Sequence, residues 1–544
     1  MTRRPRGSLL VLLLVWLFVY PVLLVVLDSV RGADGWTLEY VAAFLREPRE
    51  WEALWGSLWI SLASVALAGM IGVPLAIVFE RLDFPGRRIL GALVALPAVL
   101  PPLVGVVAFL FLYGESGFVA RALTELLGLD EAPWRLRGAG AILLVHAYSM
   151  YVYFYLFTRA GLAKVDASMI EAAHSLGSGT WTTFRRVTLP LLRPQLAAAA
   201  LLTFMTALGS FSAPYIFGGG FRVMTTQIVA SKLNGDIRMA VVEASALALV
   251  ALMGLFLLRR QAETRSVVAV GKGTPPAARA LAQPIARWGA TALGWAFAIL
   301  LLLPHATLVV VSLVPLGTWT TQLVPPEYTL ANYGTLLSEP ERLRPLVNSL
   351  WMATVATVGA IAIALWAGRL VVQRRATLRG LIETLVSAPW AIPGTVLAIA
   401  LATAFSMRAP WVARWVLVGT VVILPLAYLV RNIPIAAGSI LAGFRQLDPS
   451  LDEAAASLGA GRWRTLRAVT VPLLKPAILA GGALAFATAL GDFVTSIVLY
   501  TFETRPISIE ILSSLRAFDI GTAAAYGVVL MLISAGAMLV GTRR

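Results

Sequence analysis

The chain has no cysteine among its 544 residues and only three histidines, His146, His174 and His305. The missing thiols exclude disulfide frameworks, thiolate metal sites, iron–sulfur clusters and cysteine nucleophiles. Three scattered imidazoles do not converge on a metal centre, so no metal site is expected. Charge is scarce too, at 13% of residues, roughly half of what soluble domains carry. With few acids and no thiols there is no convergent catalytic group, and an enzyme is not expected. What fills the space is apolar: 59% of residues are hydrophobic and the mean hydropathy is +0.81. That is the composition of a polytopic membrane protein.

Twelve apolar runs have about the length a bilayer core requires, at 8–28, 57–79, 88–113, 138–160, 196–217, 239–258, 288–313, 347–370, 379–405, 412–431, 477–500 and 519–541. The first is expected to be a retained helix, because its bulky residues continue through Leu27 with no small-residue cleavage site. The formal charge of +16 and pI near 10.6 could suggest a nucleic-acid partner, so the placement of the charges decides. With Arg3, Arg4 and Arg6 inside, 29 of the 44 Lys and Arg fall on the cytoplasmic side and 15 outside, while acids favour the outside. The basic balance therefore reports orientation, with both termini cytoplasmic, and no nucleic acid is expected.

The chain also repeats itself. The segment DASMIEAAHSLGSGTWTTFRRVTLPLLRP from Asp166 to Pro194 recurs 282 residues later as DPSLDEAAASLGAGRWRTLRAVTVPLLKP, with 18 of 29 positions identical. The same offset aligns Phe204–Phe211 with Phe486–Phe493, and an offset of 292 aligns Ser57 with Ser349, Pro97 with Pro389 and Pro101 with Pro393. Two six-span copies must share one orientation, related by an axis along the membrane normal. The expected division is a first repeat at 1–258, a polar linker at 259–287 containing Thr274-Pro275-Pro276, and a second repeat at 288–544.

Both repeated loops then face the cytoplasm. Asp166 or Ser168 can cap a short helix, Glu171 suits its N-terminal half, and Gly177 supplies a stop; Asp448, Ser450, Glu453 and Gly459 repeat the design. A basic amphipathic stretch follows, and Pro190 and Pro194, or Pro472 and Pro476, mark the return into the bilayer. A short helix held along the membrane surface is a docking element. Structural capping alone would account for the two carboxylates, but a loop without a partner is usually free to diverge.

At these residues the chain resembles the permease subunits of binding-protein-dependent ABC importers, whose cytoplasmic signature is E-A-A, three residues, Gly, nine residues, Ile, one residue, Leu-Pro. Glu171, Ala172, Ala173, Gly177, Val187, Leu189 and Pro190 match it in one half; Glu453, Ala454, Ala455, Gly459, Val469, Val471 and Pro472 match it in the other, with Val replacing Ile twice and Leu once. The duplicated layout is similar to the fused permeases of the ferric-iron and thiamine importers. The resemblance implies an all-α fold of twelve transmembrane helices in two parallel six-helix repeats, in a bacterial inner membrane. It implies coupling helices at the two loops, two copies of an ATP-binding subunit beneath them that hold ATP and Mg, and a periplasmic or lipid-anchored solute-binding protein outside. No cofactor is implied on this chain. Among cargoes ferric iron is most similar, with thiamine and polyamines open. The only phosphate-loop-like stretch, Gly271-Lys272-Gly273-Thr274, lacks the spacing and the preceding strand of a nucleotide site.

Polar residues at membrane depth mark the candidate path. Asp492, matched by Ser210, could contact a cationic or metal-bearing cargo, could pair with Arg505, or could sit where a helix breaks after Gly491. Gly209 and Gly491 allow flexing or close packing. Glu383 and Arg431 read as snorkelling residues near cytoplasmic ends, and His146 and His305 as packed side chains with one hydrogen bond each. The rival reading is an ion-coupled secondary transporter working through Asp492, which would have no use for matched E-A-A loops.

Overall fold

The computed structural model describes residues 5–32, 35–99, 101–263, 276–281, 283–319, 322–372, 378–406, 416–448 and 450–542. The Gly271–Thr274 stretch, residues 264–275 and 282 of the linker and the start of the tenth expected span lie outside them. Among the described residues eleven helices are long and apolar enough to cross a membrane, or twelve when one bent pair is taken as a span. The first half supplies Gly7–Asp28, Pro48–Arg81, Pro102–Leu127, Gly138–Leu162, Thr180–Leu208 and Ile237–Leu257. The second supplies Pro284–Ser312, Pro340–Val372, the pair Arg379–Ala391 with Gly394–Phe405, Ile423–Gln446, Trp463–Leu490 and Ile520–Thr542.

Equivalent helices make equivalent contacts. Pro48–Arg81 packs along Gly138–Leu162 in one half, as Pro340–Val372 packs along Ile423–Gln446 in the other. Small residues permit the approach: a Cβ on Gly72 would meet the Tyr151 carbonyl at 2.4 Å, and one on Gly368 would meet the Phe444 ring at 2.3 Å. The leading helices cross over. Tyr20–Asp28 lies on Gly394–Phe405 of the second half, and Pro284–Ser312 lies on Pro102–Tyr113 of the first. Each half is thereby clasped by the other.

Five expected spans need correction. The runs at 88–113 and 379–405 are not continuous helices. Pro101 (φ −57°, ψ 135°) and Pro393 (φ −54°, ψ 144°) hold the chain extended between a short preceding helix and the longer one that follows, and the second-half pair bends by 107°. Proline removes the ladder donor, and the residue before it is driven out of the helical region. The runs at 196–217 and 477–500 are displaced: their helices begin in the loop segments and end at Leu208 and Leu490, after which Ser212–Phe217 and Val494–Leu499 form separate short helices. The tenth helix is Ile423–Gln446, well beyond the expected 412–431. Its apolar side continues through Ile433, Ala436, Ala437 and Ile440, all buried, and Pro434 is accommodated within it.

Candidate functional site

The two repeated loops fold alike. In the first, the Asp166 carboxylate accepts from the Ser168 N–H at 3.0 Å and caps Ala167–Ser175; in the second, Asp448 accepts from Ser450 N–H at 2.9 Å and opens Ser450–Ser457. That backbone hydrogen bond holds the exposed Asp448 carboxyl below its ordinary range. Gly177 (φ 82°) and Gly459 (φ 75°) take the left-handed turn that ends each helix. The Ser178 N–H then donates to Ala173 O and the Ala460 N–H to Ala455 O, closing the last turn. Each loop returns through a four-residue helix into a π-helical turn, Phe184–Thr188 or Leu466–Thr470, just ahead of Pro190 or Pro472.

The outward faces of these loops are apolar at matching places. Met169 and Leu451 are exposed, Leu176 and Leu458 are 87% and 88% exposed, and Trp181 and Trp463 are 72% and 74% exposed. Glu171, Ala172, Glu453 and Ala454 are exposed beside them, whereas Ala455 is buried. Trp181 stacks on Phe184, with ring centroids 5.7 Å apart.

The midline is built from equivalent residues meeting across the halves. Phe211 and Phe493, which share one position in the repeat, pack with centroids 5.4 Å apart. Gly491 lies against Pro101 of the other half, where a Cβ would come within 2.6 Å of the proline Cβ; Gly209 faces Pro393, with 3.6 Å to its Cα. Gly491 thus serves close packing at its chain break, while Gly209 meets its neighbours near van der Waals distance. Each break is pinned by a hydroxyl: Thr225 Oγ1 donates to Ser210 O at 2.7 Å and Ser508 Oγ to Asp492 O at 2.8 Å. The helices carrying those hydroxyls are themselves anchored by the Met224 N–H to Ser57 Oγ at 2.7 Å and the Ile507 N–H to Ser349 Oγ at 2.8 Å.

At Ser210 and Asp492 the halves part company. The Ser210 hydroxyl contacts His146 Nε2 at 2.9 Å, and His146 Nδ1 contacts Ser64 at 2.8 Å, so this buried histidine makes two hydrogen bonds where one was expected. Asp492, its side chain 2% exposed, accepts from the Thr495 N–H at 2.8 Å and from its hydroxyl, and pairs with Arg431 Nη1 at 3.3 Å. Arg505 is not its partner; that guanidinium bonds Glu510 at 2.8 Å. Nor does Arg431 snorkel, because the shifted tenth helix places it mid-helix, tight against Gly394. Glu383 is paired with Arg379 and Arg445. His305 lies 3.2 Å from Leu301 O and 3.4 Å from the Tyr148 hydroxyl.

The sequence of the family described as "binding-protein-dependent transport system inner membrane component" matches this chain twice, over residues 68–262 and 360–543. The chain belongs to that family. It is a tandem-duplicated ABC importer permease, a multi-pass protein of the inner-membrane type. A probable ABC transporter permease protein of Sinorhizobium fredii is 32% identical over 510 residues, 92% of this chain and 89% of the relative. The ferric transport system permease protein FbpB of Actinobacillus pleuropneumoniae is 27% identical over 97% of this chain and 76% of its own length. The thiamine transport system permease protein ThiP of Escherichia coli is 28% identical over 85% and 82%.

The permease brings its candidate residues into two groups. Glu171, Ala172, Ala173 and Gly177 share one loop and Glu453, Ala454, Ala455 and Gly459 the other, while Gly209, Ser210, Gly491 and Asp492 gather at the midline. Sequence reasoning named Arg431 but missed its pairing with Asp492. The signal was present: the offset of 282 sets Arg431 against Ser149 and Asp492 against Ser210, so one half carries opposite charges where the other carries two serines.

Proposed function

We propose that the permease is driven by two copies of a separate ATP-binding subunit, which hold ATP and Mg and seat one cytoplasmic loop each. The observation that carries this reading is the pair of capped helices with exposed apolar side chains at three matched positions, Met169/Leu451, Leu176/Leu458 and Trp181/Trp463. Isolated surface apolar residues need no explanation, but the same three at the same places in both halves fit a recurrent partner. Glu171 and Glu453 supply the carboxylates that fix its register. In this reading both termini are cytoplasmic and 259–287 links repeats spanning 1–258 and 288–544. A periplasmic or lipid-anchored binding protein delivers cargo to the opposite face. Closure of the ATPases pushes both capped helices, and the π-turns that join them to Thr180–Leu208 and Trp463–Leu490 pass the displacement to the clasped halves.

The cargo is iron(III), supported by likeness to a ferric transport permease along 97% of the chain, with thiamine and polyamines as the other cargoes the resemblance leaves open. In this reading Asp492, Ser210, Gly209 and Gly491 border the path where the two halves meet. Because Asp492 is neutralised by Arg431 and occupied by Thr495, an ion-coupled carrier working through it loses support. The test is co-purification from the native membrane. A vanadate-sensitive ATPase should accompany the wild-type chain and be lost from the Glu171→Ala, Glu453→Ala double variant; a chain that brings down no ATPase overturns the reading.

A further inference from the structure

Two cations lie on equivalent helices at the seam between the halves, Lys232 on Met224–Leu233 and Arg516 on Ile507–Arg516. Each reaches across to the opposite half. Lys232 Nζ donates to the Val498 carbonyl on Val494–Leu499, and Arg516 Nη2 donates to the Tyr215 hydroxyl on Ser212–Phe217. The Arg516 guanidinium also sits 5.8 Å from the Tyr215 ring centroid, and Tyr215 in turn stacks on Phe211 of the midline pair. A shallow cavity lined by Leu110, Tyr215, Ile216, Leu512 and Leu515 opens beside Arg516.

Neither cation is paired with a carboxylate among the described residues, in contrast to three arginines of the same face. Arg137 has Glu115 at 3.3 Å, Arg342 has Glu339 at 2.7 Å and Arg505 has Glu510 at 2.8 Å. A carbonyl and a phenol are neutral acceptors, so the seam keeps both positive charges uncompensated. Lys232 is half-buried, where an unpaired cation is costly and is retained when it serves transport, and the exposed Arg516 presents its charge to water at the same seam. In the orientation proposed above, the seam closes the outer mouth, and opening it must break both contacts and turn both cations toward the entering cargo.

We infer that Lys232 and Arg516 form a charge filter at the outer mouth and that the cargo crosses it as an anion, either an oxyanion or iron(III) held in a negatively charged chelate. Bare metal cations, thiamine and polyamines meet a repulsive entrance. This rests on the importer reading, which the ATPase co-purification tests separately.

The experiment uses the permease assembled with its ATPase and binding protein in proteoliposomes, with molybdate, ferric citrate, thiamine and spermidine as labelled probes. ATP-dependent uptake of molybdate or of ferric citrate is expected, the two arms distinguishing oxyanion from chelate. A Lys232→Met, Arg516→Met variant should lower it at least about tenfold, and Lys232→Arg with Arg516→Lys should retain it. Because the chain is free of cysteine, Lys232→Cys can be modified in place. A trimethylammonium thiosulfonate should restore anion uptake and a sulfonate-bearing one should not, which separates charge from misfolding. Uptake of thiamine or spermidine but of neither anion, or equal rescue by both reagents, overturns the inference while leaving a bound ATPase intact.

Discussion

Adding one methyl group at each midline glycine tests the crossed packing of the two halves. Gly491 and Gly209 occupy one position of the repeat and have similar backbone angles, φ −93° and −86°, so alanine costs the same locally at both. Their surroundings differ. An alanine Cβ at 491 would lie 2.6 Å from Pro101 Cβ and 3.2 Å from Cγ, whereas at 209 its nearest neighbours are Met205 O at 3.3 Å and Pro393 Cα at 3.6 Å. A proline ring cannot rotate aside, and Pro101 also sets the break in its span, so relief requires the two halves to separate slightly. Overpacking of this kind costs about 1–3 kcal/mol, against about 0.5 kcal/mol or less where contacts stay near van der Waals distance. Thermal unfolding of the detergent-solubilised chain, at one fixed scan rate, should show a clear loss for Gly491→Ala and little for Gly209→Ala. Equal shifts, or a larger one for Gly209→Ala, would refute the crossed geometry.

Further expectations concern the ion pair and the loops. Removing one partner of a buried pair costs about 3–5 kcal/mol; with Arg431 29% exposed, Asp492→Asn and Arg431→Met should each cost about 1–3 kcal/mol and show coupling in a double-mutant cycle read by thermal unfolding. Loss of the Asp166 cap by Asp166→Ala should weaken Ala167–Ser175 by about 1 kcal/mol, seen as faster amide exchange there. In the second loop the Asp448 carboxyl is depressed by its Ser450 hydrogen bond, so its capping is complete above about pH 4 and is lost as pH falls through the lower folded value. Acid-induced fraying of Ser450–Ser457, followed by exchange or by a probe on the loop, should be absent in Asp448→Asn.

The loops were legible because every determinant is local. A cap, a helix of fewer than ten residues and a left-handed glycine lie within a dozen positions, and the repeat supplied a second copy to check. Span limits were not, because an apolar run reads the same whether or not the chain breaks within it. Pro101 and Pro393 were aligned as repeats, yet a proline alone does not distinguish a kink from a full break. The Arg431–Asp492 pair and the crossings of Gly491 with Pro101 join positions distant in sequence, and packing distance has no linear signature. The hydroxyls of Ser57, Ser349, Thr225 and Ser508 were hidden for a further reason: what they satisfy are backbone groups freed by breaks that the hydropathy did not reveal.

The most direct test of the coupling arrangement uses His174→Cys and Ala456→Cys, exposed and equivalent positions on the two loops of a cysteine-free chain. With the ATP-binding subunits present, a short thiol crosslinker should join each position to one ATPase copy, and the double variant should capture two per chain. Cysteines that react with a small thiol reagent yet give no ATPase adduct from either loop would contradict the account.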